Sequence, residues 1–550
     1  MGSPNLTFKS VASFDLTTLK ADVLICPVVA LPEPKTEATA AASVTATKAT
    51  GKKKSIDKGS DKAGDKALAL SGTLGSLDSA LGGFLQQAVK AESFSGAKGA
   101  TLCLHVPKSS PLGVKKIVLV GTGSPDTEAH SVRVLKKSLA KGLTAALGAD
   151  WIKQAAVWMN PELALSGLLR AVVQGVYCAT YQSLEAKPDA ASKLETVTIL
   201  GKADAAQLKR LQIEAQAKSF AKDWVNHPSN LKTTDTMVRA AQSLKAYKTL
   251  SVSVESNPDW IAKNMPCFFT VAIGSLASDP PKWIKVTYKP SKTAKIKRHL
   301  AFVGKTVVFD TGGYQVKPDS YMCTMKGDMT GGAMTLGLMQ ALGAMAEAGL
   351  IKDDSTMVTA YLAATPNKID SHAMLPDSIV ETTCGKKVEI RHTDAEGRLT
   401  LIDAVAMAAK AQDSTPEPDV IVTTATLTGS AMRAVGECVA VMANEPAVKG
   451  GWRSKIESAA ATAGDPAQSL DVWADDFEDI KSKLDGADIL NTSQNKNRGA
   501  QSAAAFVMSG APKSLPVVHL DIAGADMTGD EKATGHGQEL LIEFALAEML

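Results

Sequence analysis

Short apolar runs punctuate the chain, separated by longer stretches in which apolar residues recur with helical spacing. The first such run is Ala21 to Val29 (ADVLICPVV); Lys116 to Val120 (KIVLV) and Thr196 to Leu200 follow. Runs of this length bounded by turn residues predict strands. A second group lies near His299–Asp310, Met357–Ala363, Val420–Thr424 and Val517–Ile522. Strand and helix alternate in both groups, which predicts an α/β fold with helices flanking a mixed central sheet. Ala205 to Val225 has helical periodicity and is expected to link two domains. Gly331 to Leu350 is the most apolar stretch, but Gln340, Glu347 and several glycines interrupt it. It predicts a buried helix and not a membrane span.

A length of 550 residues suits two domains, expected over 1–204 and 226–550 with the linker helix at 205–225. From Glu37 to about Lys62 the text turns to Ala, Thr and Lys with almost no large apolar residue. Such a stretch cannot bury enough surface to offset its ordering entropy and predicts a mobile loop. Lys52-Lys53-Lys54 within it lacks the interleaved aromatics of a base-stacking surface. With 60 basic and 57 acidic side chains the formal charge is +3, so nothing draws the whole chain to nucleic acid or membrane. The seven cysteines, Cys26, Cys103, Cys178, Cys267, Cys323, Cys384 and Cys438, form no CxxC pair, as expected of reduced thiols in a cytoplasmic protein. Lys9, Asp15, Lys20 and Asp22 interrupt any signal-peptide core.

Three segments concentrate unusual chemistry: Gly304–Gly313 (GKTVVFDTGG) continuing to Lys317, Lys326–Gly332 (KGDMTGG), and Thr393–Leu399 (TDAEGRL). Gly304-Lys305-Thr306 suggests a phosphate loop, but His299 stands where that loop needs its first glycine and Val307-Val308-Phe309 prolongs a strand instead of opening a helix. The turn Gly121-Thr122-Gly123 after KIVLV has Asp126 in place of a third glycine and reads as a strand-to-helix turn.

A metal site is the alternative for the acidic residues. Asp310 ends an apolar strand ahead of Gly312-Gly313, and Asp394 and Glu396, two apart, can reach one centre. Taken singly each carboxylate could be a surface group, and Asp328 could cap the helix that follows it. Together, Asp310, Asp328, Asp394 and Glu396 bring four negative charges that would repel on burial unless cations neutralised them. Two divalent ions would suffice, and cations roughly 3.5–4 Å apart are a recurring hydrolytic device. Oxygen-rich ligation suits manganese, magnesium or zinc. No histidine pair has the HExxH spacing of one-zinc peptidases.

These segments resemble the leucyl aminopeptidases of the cytosolic, two-metal, hexameric type. TDAEGRL at 393–399 carries the resemblance, with the spacing of Lys305, Asp310 and Lys317, with Asp328-Met329, with Asn226–Asn230 (NHPSN) and with Ala425–Gly429 (ATLTG). It spans nearly all of the second domain and is loose in the first, where 37–62 looks like an insertion. The resemblance implies an N-terminal α/β, macro-like domain ahead of a C-terminal catalytic domain.

It also implies a tightly held metal on Lys305, Asp310, Asp328 and Glu396, and a more exchangeable one on Asp310, Asp394 and Glu396. Zinc or manganese is expected, with magnesium and cobalt as further candidates. A ligating Lys305 must lose a proton with an unperturbed pKa of about 10.4, which a nearby dication favours; a salt bridge is its other reading.

By the same resemblance, a water between the metals attacks the first peptide carbonyl to give a gem-diolate, and Lys317 donates to the oxyanion. Arg398, with Gly397 and Leu427, holds a bicarbonate that carries the proton to the leaving amine. Asp328 receives the substrate's α-amine. Met325, Thr426, Leu427 and Gly429 line the cleft for a leucine-like first residue, a place where Met325 could equally be core packing. The expected partners are peptides with a free N-terminus and five further copies of the chain as two trimers. His392 stands where such enzymes have Asn, Thr306 where they have Gly, and Thr311 where they have Ser. Two other readings stay open: a catalytically silent structural relative, and an added nucleic-acid role for the first domain.

Overall fold

Strand after strand of this chain ends at a polar residue, and the fold collects several of those ends along one edge. The computed structural model describes residues 6–12, 14, 19–30, 67–110, 112–123, 132–149, 151–163, 167–183, 192–289, 295–411, 415–493, 495 and 497–549. The segment 37–62, read as a mobile insertion, lies outside them, as do the three consecutive lysines within it. The chain divides into two units, one of Leu6–Ala179 and Lys193–Ala203, the other of Thr180–Ser192 and Asp204–Leu550.

Within the smaller unit the strands are β1 (Thr7–Val11), β2 (Ala21–Val28), β3 (Thr101–His105), β4 (Val114–Gly121), β5 (Gln154–Trp158) and β6 (Thr196–Leu200). They form one sheet in the order β1-β6-β5-β2-β4-β3, parallel except at the β3–β4 edge. The apolar runs predicted as strands are β2, β4 and β6. Gly121 closes β4 where a Cβ would come within 2.2 Å of the Ala97 carbonyl oxygen, so this glycine serves close backbone packing.

Eight strands make the main sheet of the larger unit: β7 (Leu250–Glu255), β8 (Lys282–Tyr288), β9 (Arg298–Asp310), β10 (Thr356–Asn367), β13 (Val420–Ala425), β14 (Val439–Ala443), β15 (Ala467–Ser469) and β17 (Val517–Asp521). A small sheet holds β11 (Ile379–Glu381), β12 (Lys387–Glu389) and β16 (Ile489–Leu490). In the main sheet β17, β13, β9 and β10 are consecutive parallel neighbours, and antiparallel pairings flank them. This is the mixed sheet the alternation predicted.

Side chains of β9 alternate between two cores, because successive residues of a strand face opposite ways. Leu300 and Phe302 pack with the helices Ala205–Asn226, Thr330–Glu347 and Gln538–Ala547. Ala301 and Val303 pack with the helices Glu396–Ala408 and Gly499–Met508. The segment expected to link the domains is thus a helix built into the larger unit, with Ile213, Ala217, Phe220, Ala221 and Val225 in its core. No helix among the described residues is long and apolar enough to cross a membrane; Thr330–Glu347 is the buried helix expected over 331–350. It lies so close to the sheet that a Cβ on Gly331 would stand 2.0 Å from the Thr424 carbonyl oxygen.

Candidate active site

The parallel run β17-β13-β9-β10 brings four carboxyl ends to one edge, where ligands of open α/β sheets bind. Asp521 ends β17, Thr426 and Leu427 follow β13, Asp310 ends β9 and Asn367 ends β10. A register shift between Thr365 and Asn367 sets Asn367 opposite Asp310. Beyond Asp310 the chain turns on Gly312 and Gly313, with φ of 90° and 66°, and the Gly312 N–H donates to Asp310 Oδ1 at 2.8 Å. Those positive φ values suit glycine, and a Cβ on Gly312 would also meet the Gln315 carbonyl oxygen at 2.5 Å.

Gly304-Lys305-Thr306 lies inside β9, so no phosphate loop forms there. Lys305 is 3% exposed, with its Nζ 2.5 Å from Asp328 Oδ1, 3.0 Å from Glu396 Oε1 and 3.0 Å from the Thr426 carbonyl oxygen. Asp328 is not a helix cap: the helix Thr330–Glu347 starts without a side-chain cap, and Asp328 Oδ1 accepts from Lys305 and from the Thr426 hydroxyl at 2.9 Å. Glu396 opens the helix Glu396–Ala408, and Gly397 lets Lys305 pass, since a Cβ there would come within 2.3 Å of Lys305 Cε. Lys317 Nζ lies 2.8 Å from Asp310 Oδ2 and also pairs with Asp394. Ligand atoms of Asp310, Asp394 and Glu396 fall within 4.8 Å of one another.

Six ionisable groups thus sit together. Burial drives the Asp310 carboxyl up to about 7, with Glu396 adding to the rise and Lys317 and Lys305 opposing it. Asp328 is pushed well above the carboxylate range by burial despite Lys305. For Glu396 burial acts upward too, but Lys305 and Lys317 outweigh it and hold the group below its ordinary value. Burial would discharge both lysines, yet the facing carboxylates win and hold each above the lysine range.

Even so, Asp328 Oδ2 is a buried oxygen without a hydrogen bond, and Asp394 Oδ1 and Glu396 Oε1 are buried with only a lysine ammonium beside each. Buried carboxyl oxygens in that condition fit divalent cations, which accept them from any direction. Arg398, one residue past Gly397, presents the opposite case. Its guanidinium pairs with no carboxylate among the described residues, its Nε is buried without an acceptor, and burial draws it down to about 10, so it stays charged at neutral pH. That arrangement fits a small anion.

Profiles of the cytosol aminopeptidase family match residues 219–542 with its catalytic domain and 62–189 with its N-terminal domain. The chain belongs to the cytosol aminopeptidase family. A probable cytosol aminopeptidase of Gloeothece citriformis is 34% identical over 496 residues, covering 88% of this chain and 95% of the relative. One from Nostoc punctiforme is 35% identical over 503 residues, covering 88% and 94%. Among solved structures, a tomato leucine aminopeptidase mutant matches with a TM-score of 0.77 at 24% identity over 99% of this chain and 97% of that one. The bottromycin maturation enzyme BotP in complex with Mn matches at 0.72 and 21% identity over 96% and 100%. Both structural matches show the fold. As a member of the cytosol aminopeptidase family this chain is an aminopeptidase, and the family's chemistry is metal-dependent.

Other expected site residues ring the cluster. Met325 is half-buried and opens the short turn that delivers Asp328; Leu427 donates its N–H to Asp521 Oδ1 at 3.2 Å. Gly429 is exposed at the start of its helix, and among the described residues no bond ties it to the carboxylates. His392 is part-buried, and its Nδ1 accepts the Asp394 N–H at 3.2 Å.

Several supporting residues carry no signal in the sequence. Asn367 Nδ2 donates to Asp310 Oδ1 at 2.8 Å and to the Thr393 carbonyl at 3.1 Å. Gln315 accepts the Thr393 N–H and gives its own N–H to the Thr393 hydroxyl. Asp526, driven up to about 7 by burial, has an oxygen 3.5 Å from where a Cβ on Gly327 would stand. Amides leave no spacing signature, and Asp526 lies outside every motif; only the fold brings them to the site.

Proposed function

We propose that this aminopeptidase releases single residues, leucine-like ones preferred, from the free amino end of peptides with the help of two divalent cations. The buried oxygens of Asp328, Asp394 and Glu396, gathered around two lysines, carry this reading. Lys305, Asp310, Asp328 and Glu396 would hold one cation and Asp310, Asp394 and Glu396 the other, zinc or manganese by the chemistry of the donor set, with magnesium and cobalt as further candidates. When bound, such cations acidify a water and polarise the scissile carbonyl.

The chain's own groups supply the rest. Lys317, held charged between Asp310 and Asp394, donates to the oxygen on which charge develops. Asp328 takes the α-amine, which restricts cleavage to the first peptide bond. Arg398, with backbone from Gly397 and Leu427, would keep a bicarbonate within reach of the leaving amine, and the guanidinium's fork matches that planar anion. Met325, Thr426, Leu427 and Gly429 surround the first side chain. Localisation in the cytoplasm and assembly into a hexamer of two trimers belong to the same proposal, with no nucleic-acid or membrane partner.

Elemental analysis alongside turnover of a panel of aminoacyl amides tests it. The expected result is two metal equivalents per chain, loss of activity on chelation, and in Asp394→Ala loss of one equivalent with activity down by about 10³-fold or more, since an essential bound cation goes with it. Full activity or full metal content in that variant would falsify the assignment. A catalytically silent relative would turn over no amide at any metal concentration.

A further inference from the structure

The segment His392–Ala395 carries Asp394 but belongs to no helix or strand. Its backbone therefore needs partners elsewhere. Asn491, fully buried just past β16, supplies three of them and one for the neighbouring Arg391. Its amide nitrogen donates to the His392 carbonyl at 2.7 Å and the Ala395 carbonyl at 3.3 Å. Its amide oxygen accepts the Arg391 N–H at 2.8 Å and the His392 N–H at 3.2 Å. Two acceptors on one side and two donors on the other fix which end of the amide is which. The main-chain carbonyl of the same residue accepts Arg398 Nη1 at 2.9 Å, the only hydrogen bond that guanidinium makes among the described residues. Finally the Asn491 N–H donates to the Glu389 carbonyl at 3.0 Å, which anchors the residue to β12.

We infer that Asn491 is a positioning residue for the reaction: its side chain brackets the turn bearing Asp394 while its own carbonyl orients Arg398, so one residue sets both groups in a common frame. This rests on the reading of Asp394 as a cation ligand and Arg398 as the anion site. The chemistry demands an amide. Aspartate has the same shape but only acceptors, and its second oxygen would face the His392 and Ala395 carbonyls with no proton between. Alanine would remove all these bonds and leave the Arg391 and His392 N–H groups without a partner.

Full-length Asn491→Asp, Asn491→Ala and Asp394→Ala test this, read by melting temperature, by Mn²⁺ affinity from the resonance of the free ion, and by kcat and KM on a leucyl amide at several Mn²⁺ concentrations. Asn491→Asp is expected to melt within a few degrees of the parent, to bind the weaker Mn²⁺ about 10–100-fold less tightly, as loss of a group supporting a ligand does, and to lose kcat with KM little changed. Excess Mn²⁺ should restore part of that kcat. A lowered melting temperature with parental Mn²⁺ affinity and parental Mn²⁺ dependence of kcat would overturn the inference, because that marks a purely structural role. If Asp394→Ala loses one Mn²⁺ while both Asn491 variants bind like the parent, the inference falls and the ligand reading survives. If Asp394→Ala keeps both, the ligand reading falls as well. Should Asn491→Asp fail to fold, Asn491→Ala decides by the same readouts, and failure of both to fold overturns the positioning role.

Discussion

Lys305 and Lys317 hold the same kind of charge in different ways. Lys305 is locked inside a strand, with Asp328, Glu396 and the Thr426 carbonyl around its ammonium. Lys317 follows the Gly312-Gly313 turn, reaches back to Asp310 and Asp394, and keeps part of its side chain in solvent. A donor that serves the developing oxyanion should matter for turnover more than for binding. Lys317→Met is expected to lower kcat by about 10²–10³-fold with KM changed only a few-fold. Steady-state kinetics on a leucyl amide checks this, and an unchanged kcat would remove Lys317 from the reaction. At this scale the sequence was most informative where a charge interrupts an apolar run. Lys305 within HLAFVGKTVVFD and the acids of TDAEGRL stand out because burying them demands compensation. Asn367, Asn491 and Gln315 did not stand out, since a neutral amide is as much at home in any surface loop.

Elements were legible in proportion to how fully they are buried. β9, β13 and β17 read as apolar runs because helices cover both faces of the sheet. The three-residue strands β11 and β12 and the two-residue β16 carry no such pattern, yet they hold the segment from which Asn491 reaches the site. How one helix is joined to its neighbours gives an expectation at this scale. Asp403, on the helix Glu396–Ala408, accepts the Phe268 N–H at 3.0 Å and the Thr383 N–H at 2.8 Å. Burial nevertheless pushes its carboxyl up to about 6, against the pull of those bonds. A raised carboxyl favours the folded state most when protonated. Its contribution is therefore fully present below the ordinary aspartate value near 4 and is lost as pH rises through about 6, a change of about 3 kcal/mol. In Asp403→Asn the melting temperature should fall less between pH 4 and pH 7 than in the parent protein, and equal slopes would rule this group out as a source of that dependence.

For the whole molecule, the catalytic and binding groups of the candidate site all lie in the larger unit, between Lys305 and Asp526. That unit's stability should follow cation occupancy, because whatever binds the folded state alone stabilises it, by about 2.7 kcal/mol at a hundred times the dissociation constant. Chelated protein is expected to melt several degrees below protein supplied with Mn²⁺ or Zn²⁺, and calorimetry showing identical transitions would contradict a cation site there. The N-terminal half of the fold was legible as strand and helix, while its reading as a macro-like domain came from resemblance and not from any local pattern. Lys305 carries one more consequence. Its nitrogen now grips a hydrogen that the acids around it refuse to release, and a nitrogen in that state has no free electron pair to offer. If Lys305 holds a cation as proposed, loading the enzyme expels that hydrogen into the medium. In a weakly buffered solution, uptake of the first equivalent should acidify the sample, a signal that a pH electrode can follow without any substrate.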